Sequence, residues 1–424
     1  MKTFSLLIIA SLISISVFSQ TYFQGGIYNN TEWTKLNSPY IITGDVVLFP
    51  DKTLTIQPGV EIRFDGFYFL EIRGTIISIG TETDRISYKS NASTRTMSDW
   101  DKVKLKTNQG AKASFEYCNF SDAETANEVD CCWGGGPIYF KNCKFENNHY
   151  AMTGYTGYEI EVDNCEFINN TYCISQADKK ISNSTFIGNE YGLLYTERIS
   201  VYNSFFSENS VAIYGSRGTI DGCEIENNGV GILEIYEGLK LTNNLIQNND
   251  TGIMAISNYG TYLPISGNHI CNNGLNVINM DDVNKDLTGN CWCTSDSTEI
   301  ENKLIDGYDN IYLGLFNYNI YEDNCMTILK SVIKVNLTNV TETESAKLVK
   351  FYPNPFQSNL TVDFIEDSDY PVTLSIFNNI GKQVFTEICN KKTINLDLNH
   401  IPSGIYFLRI KKGDLISNSK IIKM

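Results

Sequence analysis

Between residues 140 and 277 one short pattern returns seven times, and it leaves the chain few folds to choose from. Each copy is anchored on a large apolar residue: Phe145, Phe167, Phe186, Phe206, Ile225, Ile246 and Ile270. The anchors recur about every 21 residues, within the range of solenoid repeats. An asparagine stands three residues after every anchor: Asn148, Asn170, Asn189, Asn209, Asn228, Asn249 and Asn273. Two residues before each anchor lies a small one (Cys143, Cys165, Ser184, Ser204, Cys223, Asn244, Asn268), with mostly polar residues between. A period of two is strand, and no copy holds a 3.6-periodic stretch long enough for a helix. Three residues before each anchor, Asn alternates with Gly: Asn142, Asn164, Asn183, Asn203, Gly222, Asn243 and Gly267. Those two types tolerate left-handed backbone best, so a tight corner is expected there. Short strands, tight corners and a repeating coil describe a parallel β-helix. Its coils stack roughly 4.8 Å apart, so the seven asparagines are expected to form a buried ladder in which each amide bonds to the next.

Seven residues after each anchor comes a second apolar series, Met152, Ile174, Leu193, Ile213, Ile232, Ile253 and Val277. It predicts a second inward stack. Just before it stand Tyr150, Tyr172 and Tyr191, replaced further on by Val211, Val230, Thr251 and Leu275. A tyrosine run is the residue type of a sugar platform, but the aliphatic replacements favour a half-buried packing stack. Cys118, Cys143, Cys165 and Cys223 share one inward position and read as small apolar fillers, near enough across coils to bridge. Cys131, Cys132, Cys291, Cys293 and Cys325 read as loop or end-cap disulfides of an exported protein. No paired CxxC motif and only three histidines accompany them, so no metal is expected at sulfur.

Residues 1–19 have the form of a secretory signal: Lys2, an apolar run from Leu6 to Phe18, and small residues before Gln20. No later apolar run is long enough for a transmembrane helix. The net charge of −16 is uneven, because residues 347–424 carry +3 and the body from 20 to 346 carries −20. A surface this acidic argues against nucleic acid, and against polyanions unless a cation bridges.

Three regions follow the signal. Residues 20–325 are assigned to the solenoid and its caps. Within them residues 30–40 are expected to close the open end, residues 91–101 to form a loop, and residues 300–308, at helical spacing, to belong to the closing cap. Residues 121–137 interrupt the rhythm with Glu124, Glu128, Asp130, Cys131, Cys132, Trp133 and three glycines. Insertions are where solenoids place function. Carboxylates beside a tryptophan suit a cation, calcium first among them, and a sugar ring. The alternative is a disulfide-pinned surface loop. Residues 326–347 are polar and read as a linker. Residues 348–424 hold six short alternating strands and read as a small immunoglobulin-like β-sandwich.

The last unit resembles the type A sorting domain of the type IX secretion system of Bacteroidota. The resemblance rests on Phe351, Tyr352, Pro353, Asn354, Pro355 and Phe356, on the stretch from Leu374 through Gly381 to Val384, on Pro402, Ser403, Gly404, Ile405, Tyr406 and Phe407, and on Lys420 through Lys423. It implies export by that machinery across the outer membrane of a Gram-negative cell, then release or attachment at the cell surface. Residues 40–325 are similar to the right-handed parallel β-helix proteins that carry such tails. Asp99, Trp100, the Phe-x-x-Asn coils and the segment Gly289, Asn290, Cys291, Trp292 support this; relatives have glycine where Cys293 stands. The overall expectation is an all-β chain, a right-handed parallel β-helix followed by a small sandwich.

Such β-helices include polysaccharide lyases and glycoside hydrolases, besides surface proteins without known activity. Hydrolysis needs an acid and a base carboxylate at fixed separation, and Asp281 with Asp282 is the one adjacent aspartate pair. Lyase chemistry needs a basic side chain beside a charge neutraliser, yet Lys179, Lys180, Arg198 and Arg217 look scattered. His149, His269 and His400 have no triad context; the first two read as surface or turn residues. The favoured expectation is a glycan-binding or adhesive surface protein, with an extracellular polysaccharide lyase or hydrolase as the alternative. Aligned cations and carboxylates on three neighbouring coils would favour the enzyme.

Overall fold

A computed structural model describes residues 20–318, except 131–135, 155–159, 177–178, 197 and 257–264, and residues 349–423, except 354–355, 365–371, 379–382, 390, 403 and 413–414. The chain divides into two compact units, residues 1–333 and 334–424.

The first unit is a parallel β-helix. Every coil contributes three short strands, and each strand pairs in parallel with its counterparts one coil before and after. One coil shows the plan. Ile138–Lys141 joins the first sheet, Lys144–Glu146 the second and Tyr150–Gly154 the third. The next coil supplies Ile160–Asp163, Glu166–Ile168 and Tyr172–Ser175, paired with them in register. The anchors face inward, and their rings lie on one another from Phe120 through Phe145, Phe167 and Phe186 to Phe206. Centroid spacings run from 5.0 down to 4.5 Å, with ring planes within 12° of parallel. Met152, Ile174, Leu193 and their successors form the second inward stack and are fully buried.

Both expected turn devices are present. The corner between the first and second sheets is left-handed in all seven copies, with φ between +46° and +73° at Asn142, Asn164, Asn183, Asn203, Gly222, Asn243 and Gly267. Between the second and third sheets runs the asparagine ladder. Asn170 Oδ1 accepts from the backbone N and the Nδ2 of Asn148, at 3.0 and 2.9 Å. Asn170 Nδ2 in turn donates to Phe145 O and Asn189 Oδ1. The pattern continues rung by rung, and Asn273 Nδ2 closes it on Asn276 Oδ1. Every rung thereby satisfies a backbone donor that the turn would otherwise bury unpaired.

Each of these turns also needs a second left-handed residue, just before the rung. Asn147, Asn169, Gly188, Glu208, Asn227, Asn248 and Asn272 hold it, with φ from +53° to +69°. Glu208 is the unsuited member, since an L side chain without Asn's local hydrogen bonding costs roughly 1–2 kcal/mol in this region. Glu208→Asn is therefore expected to stabilise the protein by about 1 kcal/mol, read as a raised midpoint in urea at unchanged slope.

The cysteine column is buried, and Cys118, Cys143, Cys165, Cys173 and Cys223 are free thiols. Burial pushes Cys118, Cys165 and Cys173 well above the usual thiol range and Cys223 up to about 12. They are unreactive core atoms. Further along the same column Asn244, Asn268 and Asn290 form a second amide ladder.

Three expectations change. The coil starts earlier, because Thr21–Ile27 and Thr31–Trp33 already pair in parallel with Tyr40–Leu48 and Thr53–Ile56. Residues 30–40 thus belong to the first coil instead of closing it, and Trp33 stacks on Tyr40 inside. The closing cap carries its helix at Ser297–Glu301, capped by the Asp296 side chain on Thr298 N, ahead of residues 300–308. Residues 121–137 are mostly not an insertion. Ala123–Val129 is a regular strand of the third sheet between Trp100–Leu105 and Tyr150–Gly154. What disguised it is a register shift between Thr125 and Asn127. Cys131, Cys132 and Trp133 lie outside the described residues, as does the expected linker.

The second unit packs an antiparallel sheet of three strands against one of four. The first comprises Val349–Tyr352, Asn359–Phe364 and Thr393–Asp397. The second runs Gln383–Cys389, Val372–Asn378, Gly404–Lys412 and Leu415–Lys423. Phe356, Leu360, Val362, Leu374, Ile376, Leu396 and Leu408 form its own core. Near the C-terminus Lys423 is buried, its Nζ donating to Leu398 O and Ile401 O. Tyr352 and Pro353 are exposed; Asn354, Pro355 and Gly381 lie outside the described residues.

Candidate functional site

The outward face of the third sheet gathers the chemistry. In its early coils Glu71, Lys104 and Glu128 fall in one column across three neighbouring coils. Lys102 on the same strand and Lys106 just after it flank Lys104, all three away from the core, where Trp100, Val103 and Leu105 are buried. The patch is closed on itself. Glu128 accepts from Lys102 at 2.6 Å and lies 3.3 Å from Lys104. Asp130 accepts from Lys106 and lies 3.7 Å from Lys104. Glu71 pairs with Arg73 at 2.6 Å.

This is the aligned column of cations and carboxylates expected of an enzyme, and its charges are paired with one another. Burial alone would lower Lys102, but Glu128 and Asp101 outweigh it and hold its ammonium above the ordinary 10.5. Burial, against the pull of Lys102, pushes Asp101 up. A lysine held more firmly protonated is a poorer proton acceptor than a free one. Nor do these residues fit calcium, because Glu128 and Asp130 already face three ammonium groups that a cation would have to displace.

Glu124, the third carboxylate of the expected site, stands apart. It accepts from the Ser98 hydroxyl and meets His149 Nδ1 at 2.8 Å. His149 is therefore paired, and its ring packs on Tyr150 and Tyr172. Burial pushes Glu124 up, but Ser98 and His149 together pull it below the ordinary 4.5. A depressed carboxylate contributes stability that is complete above its unfolded pKa and is lost as pH falls through the folded one. Glu124→Gln is therefore expected to flatten the decline of melting temperature below about pH 4.5, followed calorimetrically from neutral to acid pH. An unchanged acid limb would refute it.

Beyond Glu128 the column turns neutral. Thr153 and Ser175 follow it in register, then Leu194. Beside them run Thr125, Tyr150, Tyr172 and Tyr191. The tyrosine rings stack at 4.7 and 5.4 Å with planes 25° and 22° apart. Their faces are spent on one another, so the run is a half-buried packing stack that offers solvent only edges and hydroxyls. Tyr195 leaves the row, tilted 45° from Tyr214, to whose hydroxyl it donates at 2.7 Å.

The other sequence candidates are not brought together. Lys179 occupies an inward position between Ile160 and its own coil's corner, buried, with Nζ near Ser175 O and Gln176 O. Lys180, its neighbour, faces outward near Glu161. Asp281 forms a buried ion pair with Lys285 at 3.0 Å, whereas Asp282 is exposed. His269 is a correction: it is a buried strand residue, lowered by burial. It lies within 4.8 Å of the sulfurs of Cys291 and Cys293. Cys293 is bonded to Cys271 and Cys291 is also a disulfide cysteine, so this group closes the cap covalently and offers no thiolate. The cations at 102, 104 and 106 were the functional-looking residues that sequence reasoning missed. Their alternation in Lys102-Val-Lys-Leu-Lys106 was the available signal.

Two comparisons bear on identity. A stretch of 61 residues, 14% of this chain, is 38% identical to Protein bark beetle of Drosophila melanogaster, and it spans 2% of that protein's length. Residues 350–424, the antiparallel unit, match the family described as the secretion system C-terminal sorting domain, so the C-terminal unit of this chain is a sorting domain that directs the β-helix to the cell surface or beyond.

Proposed function

We propose that this chain is an exported β-helix that binds an extracellular polysaccharide along its third sheet without cleaving it. One observation carries the reading. The outward cations and carboxylates in the early coils of that sheet pair with one another, and what lies open beside them is a strip of hydroxyls, an amide and aromatic edges. Such a strip supplies oriented hydrogen bonding and contact area but neither a free base nor an acid poised to change charge. Export by the sorting unit supplies the compartment where polysaccharides are met.

The test uses the full-length protein and a panel of neutral and acidic polysaccharides, with calcium present. Retardation on affinity gels is expected for at least one glycan, with no new reducing ends and no unsaturated products. Turnover on any substrate would replace this reading by the lyase or hydrolase alternative. Turnover lost on chelation would send attention back to Glu124, Glu128 and Asp130.

A further inference from the structure

The geometry points to one recess on the third sheet as the seat of an uncharged, hydroxyl-rich glycan chain; this rests on the glycan-binding reading above and narrows it to a ligand class. The recess, of about 250 Å³, is floored by Thr125, Tyr150, Thr153 and Ser175. Gln176, Leu194 and Tyr195 form its far rim. Among the described residues no carboxylate, ammonium or guanidinium lines it, in a chain whose net charge is −16.

Its polar groups are both donors and acceptors. Ser175 Oγ donates to Thr153 Oγ1 at 3.0 Å, which leaves the Thr153 hydroxyl proton to donate outward. Thr125 and Gln176 make no side-chain hydrogen bond among the described residues, and Gln176 is exposed at a left-handed corner. Burial, with Tyr172 and Glu124 nearby, raises the Tyr150 phenol, so it remains a neutral donor. Leu194 and the Tyr195 ring, 44% exposed, add an apolar wall against which the C–H face of a sugar can lie. Mixed hydroxyl and amide contacts with one apolar wall are what a neutral sugar, itself donor and acceptor at every hydroxyl, can satisfy.

The surroundings offer an acidic chain no spare cation. Glu128, which adjoins Thr153 in register, already holds Lys102 and Lys104. Glu124 and Glu190 act on the neighbouring Tyr150 and Tyr191. A uronate or sulfate would find no cation among the described residues of the recess, and Glu190 beside it. The lining comes from four successive coils, a length of roughly 15 Å at the usual strand spacing. A short oligosaccharide lying along the helix axis fills it, whereas a single sugar does not.

Titration calorimetry on the full-length protein decides the matter, with oligosaccharides from neutral glucan, xylan and mannan set against oligogalacturonate and oligoalginate. Gln176→Glu adds a charge to the rim and Tyr195→Ala removes the apolar wall. Both positions are exposed, so folding is spared, and Tyr139→Ala on the first sheet is the control. A neutral oligosaccharide is expected to bind, insensitive to salt, with affinity weakened about tenfold or more in both rim variants and unchanged in the control. Binding of acidic oligosaccharides alone would overturn the neutral-chain inference while leaving glycan binding intact. Neutral binding untouched by either rim variant would overturn the recess. Absence of binding to every glycan would overturn the broader reading as well.

Discussion

Asn189→Ala is expected to destabilise the solenoid by about 3–5 kcal/mol, because four buried hydrogen bonds go at once and the Asn170 N–H is left with no partner, at about 1–3 kcal/mol for an unsatisfied group and about 1 kcal/mol for each other bond. Asn189 Oδ1 accepts from Asn170 N and Asn170 Nδ2, at 2.8 and 3.2 Å. Its Nδ2 donates to Phe167 O and Asn209 Oδ1, at 3.0 and 2.9 Å. All lie inside a turn that excludes water, with Asn189 itself 2% exposed. The neighbouring Asn169 isolates the cause. It is asparagine for its φ of +53° and not for a ladder bond, so Asn169→Ala should cost only about 1 kcal/mol. Denaturant unfolding followed by far-ultraviolet circular dichroism separates the two. In a solenoid each coil is stabilised by its neighbours, so the Asn189 variant should also show hydrogen exchange spreading outward from coils 170–209. Equal costs at 169 and 189 would mean that the amide ladder adds nothing beyond turn geometry.

The parts of the fold that could be read from sequence are those fixed inside one coil. Phe167 and Asn170 sit three residues apart whatever the neighbouring coil does, and the same holds for the corner at Asn164 and the inward Ile174. Where one small polar residue serves two roles, the reading stopped short. Asn244 and Asn268 stand at the small inward position two residues before the anchor, and there they also bond coil to coil. Asn147, Asn169, Asn227, Asn248 and Asn272 each form an Asn-Asn pair with a rung, and only the rung carries a role that spacing alone reveals. The charged patch and the recess were out of reach for a different reason. They depend on which residues become neighbours across coils, and that register is set by connections of variable length between the third sheet and the next first sheet. Ala123–Val129 could not be aligned with Trp100–Leu105 without the register shift at Thr125. Lys104 therefore could not be placed beside Glu128, nor Thr153 beside Ser175.

Removing a ring from the phenylalanine column tests packing where Asn189 tests hydrogen bonding. Phe186 lies 4.6 Å from Phe167 and 4.5 Å from Phe206, with planes 2° and 4° from parallel, and is fully buried. Phe186→Ala is expected to cost about 3–5 kcal/mol, the sum of lost transfer energy and an unfilled cavity. The flanking rings cannot close the gap, because each is held at its coil by strands hydrogen-bonded on both sides. Phe186→Leu refills most of the volume and should cost about 1.5 kcal/mol or less. The column itself predicts that such a change is tolerated, since Ile225, Ile246 and Ile270 take over the same position in the later coils. A slot between two parallel rings, lined only by apolar atoms, stays dry and accepts a small aromatic. Benzene should therefore raise the melting temperature of the Phe186→Ala variant and leave the unsubstituted protein unmoved. If benzene rescues nothing while the alanine variant is as stable as the leucine one, the coils have collapsed onto the gap, and the stack is a consequence of the anchors' register instead of a source of it.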